Sequence, residues 1–223
     1  RSLDKNETRE WALNSRVANY VESYLKEYEG YELMRVDDRT GRTDVALSTR
    51  TKKSNDWKAD IYLSIHHNAG INGGSGGGIT VYRYPNSSKM TKAMLERLYD
   101  LLIKHTGLKG NRAKPLNDTN FQVLRQTNAP AVLIENGFMD SKVDVPIILS
   151  DSHARKTANA IVSFLVGEFK LKKKATTKPS TPNSKTGYYR VVAGSYQDKT
   201  NAEKQMEKLK EAGFDSFLAY YEK

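Results

Sequence analysis

Apolar positions recur in two alternating rhythms over the first 170 residues. Leu13, Val17, Val21 and Leu25 repeat every fourth residue, the spacing that lines one face of a helix. A short strand is predicted in "YELMRV" (residues 31–36), a polar helix over 45–57 and a strand from Ile61 to His66. The glycine-rich "GGSGGGITVYRY" feeds another strand, and Met90 to Lys104, with Met94, Leu98 and Leu102, reads as a third helix. "FQVLR" and the apolar run "APAVLIE" follow, then a last helix around Ala158 to Phe169. Helices alternating with apolar strands predict an α/β fold, a mostly parallel twisted sheet with helices on both faces.

The rhythm stops at "LKKKATTKPSTPNSKTG", where Lys, Thr, Ser and Pro take over from Leu171 to Gly187. Such a run buries too little surface to offset its ordering entropy and predicts an extended, mobile tether. Three segments are therefore expected: a domain over 1–170, a linker over 171–186 and a small β-α-β module over 187–223. In the last, Ala202, Met206 and Leu209 form an apolar stripe and Ala212-Gly213 supplies the helix stop. Alone, that module exposes a sheet edge and has little core, so it reads as half of a larger unit.

Composition narrows the partners. Among 223 residues the net charge is +10 and the pI about 9.5, which suits nucleic acid, an anionic membrane or an anionic wall polymer. There is no cysteine, so disulfides and Cys-ligated zinc are excluded, export is permitted, and any metal must use His, Asp or Glu. No stretch approaches the roughly 20 apolar residues of a membrane helix, which predicts a soluble chain without membrane insertion. The sequence opens Arg-Ser-Leu-Asp, so residue 1 is expected to lie downstream of the true start.

Candidate chemistry gathers at strand ends. In "IYLSIHHNAG" an apolar strand finishes on His66 and His67. A lone histidine there is most often a satisfied polar cap, but open α/β sheets place ligand crevices at the carboxyl ends of their strands. "AVLIENGF" likewise ends on Glu135, a carboxylate costly to bury without a cleft or a cation beside it. Glu10 precedes Leu13 by three residues and Val17 by seven, at the start of the first helix's buried stripe. An imidazole, a carboxylate and a separate carboxylate free to act as base suit zinc, although a catalytic zinc site wants three protein ligands and only two are in view. His105, at a helix end, and His153, in a polar loop, read as surface residues. The glycines from Gly73 to Gly78 precede a strand, not a helix, so they read as a flexible rim rather than a phosphate cradle.

These segments resemble the zinc-dependent N-acetylmuramoyl-L-alanine amidases of the Amidase_3 type, found as bacterial autolysins and phage endolysins. The resemblance is carried by Glu-x-x-x-Asn at Glu10 and Asn14, by Ser-Ile-His-x-Asn from Ser64 to Asn68, by "FQVLRQTNAPAVLIENGFMD", and by "LSTRTKKSN" with Arg50. It implies that Glu10 and His66 bind zinc (Zn2+) and that Glu135 is the catalytic carboxylate. The implied reaction is hydrolysis of the amide between N-acetylmuramic acid and L-alanine in peptidoglycan. The family's other ligand is a histidine in a Gly-His-Gly-Gly loop after the first strand. No such motif is present here, so that strand and the third ligand are expected upstream of Arg1.

The module over 187–223 resembles half of a SPOR domain, a ferredoxin-like peptidoglycan-binding unit, with its opening strand at Tyr188 to Tyr196 and its carboxyl end expected beyond Lys223. Together these imply a monomeric, secreted or cell-wall lytic enzyme of sporulation type, or an endolysin released by phage lysis. Peptidoglycan is then the partner, with the lysine-rich tether adding attraction to anionic wall polymers. Two other readings compete: a non-catalytic wall-binding protein on an amidase-like fold, and an RNA-binding module suggested by Tyr188, Tyr189 and Arg190. The second lacks the aromatic signature of RNA-recognition sheets, so no nucleic-acid partner is expected.

Overall fold

A computed structural model describes residues 2–175, 194–211 and 216–220. It divides into two units, Arg1–Ala175 and Thr176–Lys223.

In the first unit the four-residue repeat becomes α1 (Glu10–Leu25), with Leu13, Val17, Val21 and Leu25 all buried. Then come β1 (Tyr28–Glu29), α2 (Leu47–Asp56), β2 (Tyr62–Asn68), β3 (Ile79–Arg83) and α3 (Lys89–Thr106). The Ser88 hydroxyl caps α3 by accepting the Thr91 N–H, and Gly107 ends it at φ +72°, a left-handed conformation that glycine adopts without steric cost. Next are β4 (Leu116–Asp118), α4 (Gln122–Gln126), β5 (Ala131–Phe138), α5 (Val145–Ile148), α6 (Asp151–Phe169) and β6 (Lys172–Lys173).

Four strands form one sheet in the order β2-β5-β3-β4. β2 pairs parallel to β5, and β3 to β4, while β3 runs antiparallel to β5. The α/β expectation holds, with one antiparallel junction inside the sheet. Alternate residues of β5 face opposite layers. Val132 and Ile134 join the large core under α1, α3 and α6, whereas Ala131 and Leu133 join Tyr62, Val123 and Leu124 on the α4 side. Central β5 is apolar on both faces because both are covered.

Several expectations are corrected. "YELMRV" forms no strand. Among the described residues β2 is the edge strand on that side, and residues 31–36 instead line a cavity of about 1140 Å³ between α1 and β2, which is also bordered by Glu10 and His66. A strand needs a partner ladder, and none of the described residues supplies one here. The tether does not begin at Leu171. Leu171 packs on the large core, and β6 pairs antiparallel with β1, Tyr28 opposite Lys173. His153 is not in a loop or at the surface: it lies in the first turn of α6 and is only 3% exposed. Its helix starts seven residues before the predicted Ala158 because Ser150 caps it, accepting the His153 N–H. His105, in the last turn of α3, is half-buried.

In the second unit the predicted helix is present as α7 (Lys199–Glu211), with Ala202, Met206 and Leu209 half-buried. Most of the expected opening strand, residues 188–193, lies outside the described residues, as do linker residues 176–186. Among the described residues no helix is long and apolar enough to cross a membrane.

Candidate active site

Parallel pairing of β2 with β5 sets His66 directly opposite Glu135. Each stands at the end of an apolar run, where the strands leave the core. The ladder shifts register between His66 and Asn68, so that Asn68 pairs with Phe138. Asn136 bridges the irregularity: it is fully buried and its Nδ2 donates to the His66 carbonyl at 3.1 Å.

The first residue of α1 arrives from the other side. Glu10 Oε1 lies 2.8 Å from His66 Nδ1, accepts from Asn14 Nδ2 at 3.0 Å and from the His67 backbone N–H at 3.3 Å. The structure thus brings together Glu10, His66 and Glu135 from three separate elements. His66 Nε2 also lies 3.0 Å from Ser64 Oγ, two residues back on the same face of β2.

The electrostatics of the two carboxylates diverge. Burial alone would raise the pKa of Glu10, but the hydrogen bonds from His66 and Asn14 and the charge of His66 outweigh it and hold the group at about 2. Glu135 has no such donors. Burial pushes it up to about 7 against the attraction of His66, and Glu10 adds repulsion. Its Oε2 is buried without a hydrogen-bond partner among the described residues, an arrangement that leaves a costly polar atom unsatisfied unless it has work to do. Burial lowers the pKa of His66, yet the hydrogen bond and charge of Glu10, with the charge of Glu135, raise it overall.

His67 points the other way from His66, as successive strand residues must. It is 4% exposed, and burial, with repulsion from His153, brings it down to about 3, so it stays neutral. His153 Nε2 lies 3.3 Å from the Asn136 carbonyl and is likewise lowered by burial. Sequence reasoning missed Asn136, the role of His67 and the burial of His153. The available signal was period two: adjacent histidines cannot share a strand face. Asn136, next after Glu135, therefore had to point into the opposite layer.

The glycine loop is tied through shared anchors to the segment that follows Glu135. Asp140 Oδ2 accepts the backbone N–H groups of Gly70, Ile71 and Asn72. Asp144 Oδ2 accepts those of Gly78 and Phe138 at 2.7 and 2.9 Å. Gly78 has φ +95°, and a Cβ there would lie 2.4 Å from Gly110 Cα, so only glycine fits. Arg50 donates to the Val45 carbonyl and to Asp44, pinning the segment ahead of α2. Among the described residues there is no group of three side chains placed to hold a metal.

A family model for N-acetylmuramoyl-L-alanine amidase, Amidase_3, matches residues 2–166, about three-quarters of the chain. The chain belongs to the N-acetylmuramoyl-L-alanine amidase family. A SPOR domain model matches residues 156–220. A sporulation-specific N-acetylmuramoyl-L-alanine amidase of Bacillus subtilis is 32% identical over 214 residues, 96% of this chain and 77% of that one. The amidase CwlM of Bacillus licheniformis is 30% identical over 196 residues, 88% of this chain and 70% of that one. The catalytic domain of the amidase CwlV from Bacillus (Paenibacillus) polymyxa superposes with a TM-score of 0.65 at 26% identity, covering 74% of this chain and 87% of that domain. An amidase from Clostridium difficile 630 gives the same values. This amidase therefore has the α/β fold of its relatives.

Proposed function

We propose that this chain cleaves the amide joining N-acetylmuramic acid to L-alanine in peptidoglycan, with Glu10 and His66 as zinc ligands and Glu135 as the general base and acid. That it is a cell-wall amidase follows from its family. The assignment of roles rests on one observation: Glu10 Oε1 lies 2.8 Å from His66 Nδ1, and His66 stands opposite Glu135 in the ladder.

The residues fit zinc. A carboxylate and an imidazole are its ordinary oxygen and nitrogen donors, and the unpartnered buried Oε2 of Glu135 is the kind of atom that a nearby cation and its water would satisfy.

When bound, zinc supplies a positive charge that polarises the scissile carbonyl, stabilises the oxyanion and brings the pKa of a water towards about 7. Glu135, held by burial near neutrality, takes a proton from the attacking water and returns it to the departing amine. A base whose pKa lies near the working pH serves both transfers best. The module over 187–223 would hold the enzyme on peptidoglycan, and the lysines from Lys172 to Lys178 would add weak attraction to anionic wall polymers. Release of label from dye-coupled cell walls tests the reading. Glu135→Ala should lower it by about 100- to 10,000-fold while circular dichroism stays that of the parent. Appreciable amidase activity in that variant removes Glu135 from its role.

A further inference from the structure

Glu10 Oε1 is crowded with donors, whereas among the described residues its Oε2 takes no hydrogen bond. The crowding has a source deeper in the fold. Asn14 lies one helical turn after Glu10, on the same face of α1, and its Oδ1 is 2.8 Å from His67 Nδ1. His67 itself is buried on the face of β2 away from His66.

The donor and acceptor roles follow from chemistry. An ionised carboxylate only accepts, so the side of Asn14 facing Glu10 must be its NH2 group, and the side facing His67 must be its carbonyl oxygen. A carbonyl oxygen only accepts, so His67 Nδ1 must carry the ring proton. The direction of every hydrogen bond in the chain His67, Asn14, Glu10 is then set from the buried end.

We propose that His67 and Asn14 are positioning residues that fix the Glu10 carboxylate, occupying its Oε1 with protein donors and leaving Oε2 for the cation. This rests on the reading of Glu10 as a zinc ligand and adds which atoms hold it ready. Neither residue touches substrate. Their effect is orientation, the role that outer hydrogen-bond partners play at metal sites, where losing one typically costs about 10- to 100-fold in metal affinity.

Two measurements test the proposal. Nitrogen-15 NMR of the metal-free protein near neutral pH should find the His67 ring proton on Nδ1 and Nε2 bare; a proton on Nε2 overturns it. Zinc affinity, measured by competition with a chromophoric chelator, should fall by about 10- to 100-fold in Asn14→Asp and His67→Leu, and stay within about threefold in His67→Asn, which keeps a donor near the place of Nδ1. Thermal melts of the metal-free variants separate loss of orientation from loss of fold, and rescue by His67→Asn is something a mere packing role would not give. If Glu10→Ala loses zinc while Asn14→Asp and His67→Leu keep it, the relay is wrong and the ligand reading stands. If Glu10→Ala keeps zinc, the ligand reading falls and takes the relay with it.

Discussion

Two glutamates meet at this site, one at a helix start and one at a strand end. Glu10 sits at about 2 and Glu135 at about 7. Burial is the largest influence on both, and in both it pushes upward. What differs is the company. Glu10 Oε1 receives donors from His66, Asn14 and the His67 backbone, while Glu135 has a buried oxygen with no hydrogen-bond partner among the described residues. The first environment favours a fixed anion, suited to holding a cation. The second favours a group that gains and loses a proton near neutrality. One side-chain type is thus given two protonation behaviours by its hydrogen bonds and neighbouring charges.

The sharpest way to break this contrast is to remove each carboxylate in turn and follow zinc and turnover separately. Glu10→Ala should lose bound zinc, measured by atomic absorption after dialysis, and its wall-lytic activity should drop to background. Glu135→Ala should lose activity yet keep its zinc. Equal zinc loss in both variants would erase the division of labour.

A second, smaller effect lies in stability against pH, measured by urea unfolding of the metal-free protein. Glu135 has a folded pKa raised from 4.5 to about 7, so its neutral form favours the fold fully below 4.5 and that contribution is lost as pH rises to about 7. Glu10, lowered from 4.5 to about 2, contributes with the opposite sign: present above 4.5, lost as pH falls towards 2. His67 and His153, kept neutral by burial, also oppose Glu135, since their protonation favours the unfolded chain. The Glu135 contribution is therefore read as the difference between parent and Glu135→Gln. The variant should gain on the parent from pH 4.5 to about 7, by on the order of 3 kcal/mol, and hold level above. A flat difference would mean that Glu135 is not held in a desolvated site.

The smallest effect is expected at Ser64. Ser64→Ala removes the contact to His66 Nε2 and should weaken zinc by less than about tenfold, the low end for an outer partner. It should leave the Glu135 pH difference unchanged, which would place the two halves of the site under separate control.

The helices α1 and α3 and the strands β2 and β5 were legible from the sequence because their apolar repeats are long and clean. Glu10, His66 and Glu135 were legible too, as polar groups interrupting those repeats where a core should begin. "YELMRV" was misread because alternation of residue types encodes a tendency to pair, whereas a strand exists only where a neighbouring edge accepts it. His153 was misread because the polar residues around it, Ser150 and Asp151, look like a loop yet form the cap and first turn of a helix. The relay through Asn14 and His67 was beyond sequence reading, since it joins residues 53 positions apart. Only the packing of α1 against β2 reveals it.

One oxygen of Asp144 ties the glycine loop to the strand that carries Glu135, since it holds both Gly78 and Phe138. Loop and strand are thus welded rather than hinged, and a glycine loop that looks free to swing can do so only upstream of that weld. A substitution at Gly78 would then be felt in the strand that carries Glu135, although glycine has no side chain to reach it.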